Sequence, residues 1–180
     1  VDGHPAQVAD EAVVVERVLQ QTGAVAVHVA KDAAEKFKLW EARRQALPVL
    51  ARCKPTTVLE DATVPRSQIP AMMKAVNDIA KKYNVEVGTF GHAGDGNLHP
   101  RIVAPPEWTR ERWERELPRI FEAMYRAAYA LGGQISGEHG IGEKRREFIG
   151  LTVPEENLAW MRTIKQALDP NGILNPGKIF

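Results

Sequence analysis

Two glycine-rich stretches, GHAGDGNLH (residues 91–99) and SGEHGIGEKR (residues 136–145 from Ser136), hold four side chains able to bind a cation or move a proton: His92, His99, Glu138 and His139. In the first stretch the glycines at 91, 94 and 96 permit positive φ and close backbone approach, while Asp95 and Asn97 tolerate left-handed conformations and hydrogen-bond the turn. This reads as a short hairpin with His92 and His99 on its two arms. Neighbouring strands lie about 4.8 Å apart, so both imidazoles can aim at one point. Two imidazoles need a third ligand to hold a divalent ion with an open position, and a carboxylate from elsewhere is a common complement. Glu138 is the candidate, on a second tight turn bounded by Gly137 and Gly140, with His139 beside it as a base. The same residues also suit a plain GDGN hairpin turn flanked by hydrogen-bonded surface histidines. Even as a metal site, two histidines, a glutamate and a neighbouring histidine serve metal-assisted hydrolysis as readily as redox chemistry.

The elements that must position these residues alternate between helical and strand periodicity. Residues 5–22 carry Val8, Ala12, Val15 and Leu19 at helical spacing, with Gly23 as the stop. AVAVHVA, residues 24–30, sets Val25, Val27 and Val29 on one strand face and His28 on the other. A charged helix is expected over residues 31–47, beginning near Asp32 and ending near Pro48, with Phe37 and Trp40 turned inward. TTVLEDATV, residues 56–64, reads as one strand closed by Pro65. Ser67 is expected to cap the next helix, whose core residues are Ile69, Met73, Val76, Ile79 or Ala80, and Tyr83. Asn84 ends it, and residues 85–90 and 98–104 form the hairpin arms.

After Pro105 and Pro106 comes a long helical pattern at Trp113, Leu117, Ile120, Met124 and Leu131, kinked or restarted near Pro118 and ended by Gly132 and Gly133. QISG then reads as a strand. Thr152 and Glu155 form a capping box for a last helix with Leu158, Met161, Ile164 and Leu168 on one face, stopped by Pro170. Strand and helix recur as βαβ-like pieces, the pattern fits an α+β sheet with helices packed on one side, and a weak echo between the halves reads as duplication.

Composition narrows the function classes. A chain of 180 residues buries roughly 70% of its unfolded surface, so no disulfide is needed for a core. Cys53 is the single cysteine, which rules out internal disulfides and multi-cysteine zinc sites and points to a reducing compartment. With 24 basic and 23 acidic residues and a net charge of +1, nothing suggests a nucleic-acid partner. The chain has no apolar run of membrane-span length and no signal-peptide pattern, so the expectation is a cytoplasmic protein, or one peripheral to the membrane through its partners. It opens on VDGHP without a methionine, which reads as a fragment of something longer. Neither G-x-G-x-x-G nor a GK[ST] phosphate loop occurs.

Taken together, HAGDGNLH, SGEHGIGEKR and LDPNGILNPGKIF (residues 168–180), with VPRS at residues 64–67 and LWEARR at residues 39–44, resemble the C-terminal part of FAD-linked oxidases of the vanillyl-alcohol-oxidase type. Within that group the chain is similar to the glycolate oxidase GlcD-type subunit and D-lactate dehydrogenase branch. The resemblance implies a C-terminal cap or substrate domain over residues 1–180, an α+β unit with a large antiparallel sheet related to duplicated ferredoxin-like folds. It also implies that a FAD-binding domain precedes this one and that the chain alone is inactive.

By matched position, the resemblance implies that His92, His99 and Glu138 hold a divalent metal such as Zn, Mn or Fe. It implies that His139 is the base that takes the hydroxyl proton of a 2-hydroxy acid while hydride leaves C2 for FAD. Asn97 and Arg43 match substrate contacts, Arg43 pairing with the substrate carboxylate, although Arg44 is one position away. Asn175 matches a tail residue that returns to the flavin domain. Relatives that take a dicarboxylate use an extra lysine where this chain has Leu59, which favours a small or apolar D-2-hydroxy acid of the glycolate or lactate class. Arg66, Lys144 and Arg145 could contact substrate or flavin, but such residues are more often solvated surface groups and are read so here.

The division of labour is physically coherent. A divalent ion lowers the pKa of a bound water from about 15.7 to about 7, and a neutral histidine, with an ordinary pKa of about 6.5, can take the proton so released. Other expected partners are further oxidase subunits or an electron acceptor. The competing readings are a stand-alone metal hydrolase built on His92, His99 and Glu138, and a noncatalytic interaction domain.

Overall fold

The second arm of the glycine-bounded hairpin, residues 97–103, becomes the central strand of a four-stranded antiparallel sheet. The structure is a computed structural model and describes residues 1–53 and 56–180. In chain order the helices are α1 (Pro5–Gln21), α2 (Ala33–Cys53), α3 (Ile69–Tyr83), α4 (Arg110–Ala130) and α5 (Glu155–Leu168). The strands are β1 (Thr57–Leu59), β2 (Ala62–Thr63), β3 (Glu86–His92) and β4 (Asn97–Val103). The chain divides into two compact units, Val1–Leu50 and Ala51–Phe180.

In the first unit, α1 begins at Pro5, whose missing N–H costs nothing in a first turn. It ends before Gly23 at φ +88. The strand expected over residues 24–30 is not formed: the segment is unpaired among the described residues, since alternation supplies an apolar face but no neighbouring backbone to ladder with. Phe37 and Trp40, expected inward, are 63% and 48% exposed. Charged residues fall all around α2, so it has no wholly apolar face. Instead the Arg44 guanidinium covers the Phe37 ring at 4.3 Å and Arg43 lies 5.5 Å from the Trp40 ring centre. The helix also continues through Pro48 rather than ending there.

The core lies in the second unit. Period-2 alternation turns Leu98 and Ile102 of β4 to one face, where Met72, Val76 and Ala80 of α3 and Ile120, Phe121, Met124 and Tyr125 of α4 bury them. The helices thus cover one side of the sheet. β4 pairs with β3 along its full length and with β1 and β2 on its other edge. The run TTVLEDATV, expected as one strand, is two short strands separated by Glu60 and Asp61, two acids that are 1% and 0% exposed.

Other local expectations fail for identifiable reasons. Ser67 does not cap α3, because Arg66–Gln68 first forms a 3-10 turn and Gln68 precedes the helix without a side-chain cap. α4 runs unbroken across Pro118, held by a buried face of Ile120, Phe121, Met124, Tyr125 and Ala128 that continues past it. QISG contributes only a bridge between Gln134 and Thr63. Pro154 occupies the cap of α5, so Glu155 is already helical and the Thr152–Glu155 box cannot close. Of the α5 face only Leu158 is buried, and Leu168 is 77% exposed. Asn84 ends α3 in the left-handed conformation as expected. Among the described residues no helix is long and apolar enough to cross a membrane.

Candidate active site

His92 closes β3 and Asn97 opens β4, directly opposite each other in the ladder, and Phe90 faces His99 one step along the same face. The Gly94–Gly96 corner is compact. A Cβ on Gly96, at φ +73, would lie 2.0 Å from the Val64 carbonyl oxygen, so only glycine lets the turn press against β2's exit. His99 thereby points away from the helices, on the sheet face opposite the core, yet is only 5% exposed.

What covers it is the turn of residues 136–140. His139 stacks on His99 with ring centres 4.9 Å apart and planes 12° from parallel, while His92 meets His99 edge-on at 5.4 Å. Glu138 Oε1 lies 2.9 Å from His99 Nε2 and 3.4 Å from His92 Nε2. One ligand atom from each of His92, His99 and Glu138 falls within 4.8 Å of the others. Gly137 makes the approach feasible, since a Cβ there would come within 2.6 Å of the Asn97 side chain.

The turn is held by Asp61, which lies 76 to 78 residues earlier in the chain. Its Oδ2 accepts the Ser136 hydroxyl at 2.6 Å and the backbone N–H groups of Gly137, Glu138 and His139 at 2.9, 3.1 and 2.9 Å. Burial by itself would raise the Asp61 carboxyl; the Ser136 hydroxyl, the backbone donors and His139 outweigh it and hold the group below the ordinary carboxylate range. Asp61, His99 and His139 form a second cluster of ligand-type atoms within 4.8 Å.

The structure therefore brings together four of the residues singled out from the sequence: His92, His99, Glu138 and His139. Asn97 is beside them, 4% exposed, with an Oδ1 that has no hydrogen-bond partner among the described residues. Arg43 stands on α2 of the first unit, and its neighbour Arg44 is engaged by Glu41 at 2.9 Å. Asn175, at φ +50, lines an apolar groove of about 390 Å³ with Met161, Ile164, Leu174, Ile179 and Phe180.

Sequence reasoning missed Asp61, Glu60 and Arg101. Arg101 is on the His99 face of β4, opposite Leu59, and hydrogen-bonds Thr57. It also read Arg145 as solvated, whereas that guanidinium is 3% exposed and bonded to buried Glu60. The available signal was the pair of acids interrupting a β-branched run, which in a buried strand must have partners.

The chain matches the family described as FAD linked oxidases, C-terminal domain, over residues 1–179. It is 48% identical over 166 residues to the glycolate oxidase subunit GlcD of Bacillus subtilis (strain 168), covering 92% of this chain and 35% of that protein. To the glycolate oxidase subunit GlcD of Escherichia coli (strain K12) it is 33% identical over 182 residues, 99% of this chain and 35% of the relative. A D-lactate dehydrogenase of Archaeoglobus fulgidus is 35% identical over 170 residues, 94% of this chain and 37% of the relative. The chain thus spans about a third of the length of these relatives. A match over nearly every residue makes this chain a member of the FAD-linked oxidases through their C-terminal domain.

Proposed function

We propose that residues 1–180 are the substrate-side domain of a flavin-dependent dehydrogenase that oxidises a small D-2-hydroxy acid, of the glycolate or lactate class, to the 2-oxo acid. The observation that carries this reading is the meeting of His92, His99 and Glu138 at one point with His139 stacked alongside. A FAD-binding domain precedes this one, and further oxidase subunits or an electron acceptor complete the system.

The donors fit a divalent cation of the Zn, Mn or Fe kind: two imidazole nitrogens and one carboxylate oxygen satisfy three positions and leave others open. When bound, the cation supplies Lewis acidity at the substrate's 2-hydroxyl and FAD supplies the hydride acceptor. The remaining steps fall to the chain's own side chains. His139, with 38% of its side chain open to solvent, takes the hydroxyl proton on a ring nitrogen. Asn97, whose buried Oδ1 has no hydrogen-bond partner among the described residues, is the further substrate contact we assign.

Arg43 binds the substrate carboxylate; the commitment of Arg44 to Glu41 favours Arg43 for this part. Leu59, where a dicarboxylate-specific relative would carry a lysine, favours an acid with one carboxylate. Asn175, beside the apolar groove of the tail, is the contact we assign toward the cofactor.

The test is dye reduction by the full-length flavoprotein carrying this segment, given FAD, Zn²⁺ or Mn²⁺ and glycolate or D-lactate. His139→Ala should lower kcat by about 100-fold or more, the usual worth of a positioned base. Wild-type turnover that survives this change, or no turnover with any 2-hydroxy acid, would overturn the proposal. Ester hydrolysis without flavin would instead favour a metal hydrolase.

A further inference from the structure

The geometry points to Asp61 as the positioning residue for both halves of the site: one carboxylate oxygen carries the turn of Glu138 and His139, and the other holds a proton on Nδ1 of His99. The inference rests on the metal reading above and adds a residue that the sequence motifs do not contain.

Asp61 divides its two oxygens unequally. Oδ2 collects one hydroxyl and three backbone N–H groups, all from residues 136–139. Among the described residues Oδ1 accepts nothing and faces His99 Nδ1 at 3.7 Å, a ring nitrogen that is itself buried and without a hydrogen-bond partner there. A buried acceptor and a buried ring nitrogen left unpaired face to face are costly, and a proton on the nitrogen removes the cost for both as the pair closes by about 0.5 to 1 Å. A neutral imidazole with its proton on Nδ1 keeps the Nε2 lone pair free. That nitrogen is the one 2.9 Å from Glu138 Oε1, a separation bridged by a cation when one is bound and by a second ring proton when none is, on the side where His92 also points. One carboxylate therefore sets both where the glutamate stands and which histidine nitrogen can act as a ligand.

The backbone around Asp61 is fixed independently of the site. Glu60 donates its N–H to the Pro100 carbonyl at 2.9 Å in the break between β1 and β2, and its carboxylate is bound by Tyr125, Lys144 and Arg145. Asparagine at position 61 would be an informative failure. Its single oxygen is needed by the four donors of the turn, so its amide NH₂ would face His99 Nδ1 and donate to it. The ring proton would then move to Nε2 and occupy the ligand lone pair.

The experiment uses the full chain with ¹⁵N-labelled histidine and Zn²⁺ alone as the probe. The wild type should show a slowly exchanging proton on His99 Nδ1 with and without Zn²⁺. Asp61→Asn should move that proton to Nε2 and weaken Zn²⁺ binding by about 10- to 100-fold, the usual effect of removing an outer partner of a ligating histidine. Tyr125→Phe, which removes a hydroxyl bound to the neighbouring Glu60 and touches no group of the site, should lower the melting temperature yet leave Zn²⁺ affinity within about twofold. The inference is overturned if Asp61→Asn binds Zn²⁺ as the wild type does, if Tyr125→Phe weakens binding as much, or if wild-type His99 lacks the Nδ1 proton. Should Asp61→Asn fail to fold, the wild-type ring proton and its persistence in Ser136→Ala decide the matter. A wild type that takes up no Zn²⁺ refutes the metal reading, while the ring proton still judges Asp61.

Discussion

Arg145 meets Glu60 at 3.2 Å with both side chains almost sealed from water. The pair matters because Glu60 adjoins Asp61, and the two acids grip opposite ends of one segment: Asp61 holds the turn at residues 136–139, and Glu60 holds Lys144 and Arg145. Arg145 closes the loop by donating to the Gly140 carbonyl at 3.0 Å. Lys144 reaches past Glu60 to the Leu59 carbonyl at 2.5 Å. A glycine-rich segment that would otherwise be mobile is thus stapled to the gap between β1 and β2. The ligand candidate and the base on it gain fixed positions from groups outside the site.

Breaking the staple from its two sides should cost different amounts. Arg145→Ala leaves the Glu60 charge buried with fewer partners and should destabilise by about 3 to 5 kcal/mol. Tyr125→Phe removes one hydroxyl, 2.5 Å from Glu60, and should cost about 1.5 to 3 kcal/mol, as for other hydrogen bonds to charged groups. Burial, followed by the adjacent Glu60 charge, pushes the Tyr125 phenol far above its ordinary range, so this hydroxyl remains a donor at any physiological pH. Urea unfolding of the two variants checks the order; equal losses would contradict it.

Glycines at positive φ near the site should respond according to what a methyl group meets. Gly96→Ala drives a Cβ to 2.0 Å from the Val64 carbonyl oxygen and should cost at least about 3 kcal/mol, because backbone rather than a side chain must move. Gly140, at φ +76, has open space where a Cβ would go, so Gly140→Ala should cost only the left-handed penalty of about 1 to 2 kcal/mol. Thermal melts of both variants test the contrast.

Much of the hairpin was legible because its signals are local. The GDGN corner demands glycine at its tightest approach, and period-2 alternation on each side sends Leu98 inward and His99 outward. Glu138 and His139 were legible as a second glycine-bounded turn. Asp61 was not, since its partners lie 75 to 78 residues away and no local pattern tells a buried acid from a loop acid. Arg145 was misread for the same reason. The errors in the first unit have another origin: Phe37 and Trp40 suggested an inward face, but hydrophobicity at a few positions cannot create a core where charges surround the helix. Val25, Val27 and Val29 likewise alternate without a strand to pair with.

The C-terminal tail should loosen in acid. Asp169 accepts the backbone N–H groups of Ile173 and Leu174, both at 3.0 Å, and pairs with Lys165, which also donates to the Leu174 carbonyl at 2.7 Å. The Lys165 hydrogen bond holds the Asp169 carboxyl below its usual range; burial opposes this and the two backbone donors reinforce it. A folded pKa below the unfolded value of about 3.9 means the contribution is complete above that value and disappears as pH falls through the folded one. Stability should therefore decline below about pH 4, and Asp169→Asn should be weaker near neutrality but flatter in that acid window. Melting temperature against pH for both proteins checks this; parallel curves would contradict it.

The two candidate histidine ligands should separate under substitution because their surroundings differ. His92 ends a strand with 38% of its side chain exposed, whereas the His99 side chain is 6% exposed, stacked on His139 and tilted against Phe90 at 5.9 Å. His92→Ala should change folding stability by no more than about 1 kcal/mol, since the half-buried ring leaves only an edge contact and no buried partner behind. His99→Ala opens a cavity between two rings and strips Asp61 Oδ1 of the group it faces, so a loss of about 2 to 4 kcal/mol is expected. Both changes remove a ligand atom and should reduce Zn²⁺ affinity by at least the roughly 100-fold that outer partners can cost. Calorimetric Zn²⁺ titration beside urea unfolding distinguishes the effects. If His92→Ala keeps full Zn²⁺ affinity, the cation is not held where Glu138 Oε1 and the two imidazole nitrogens meet.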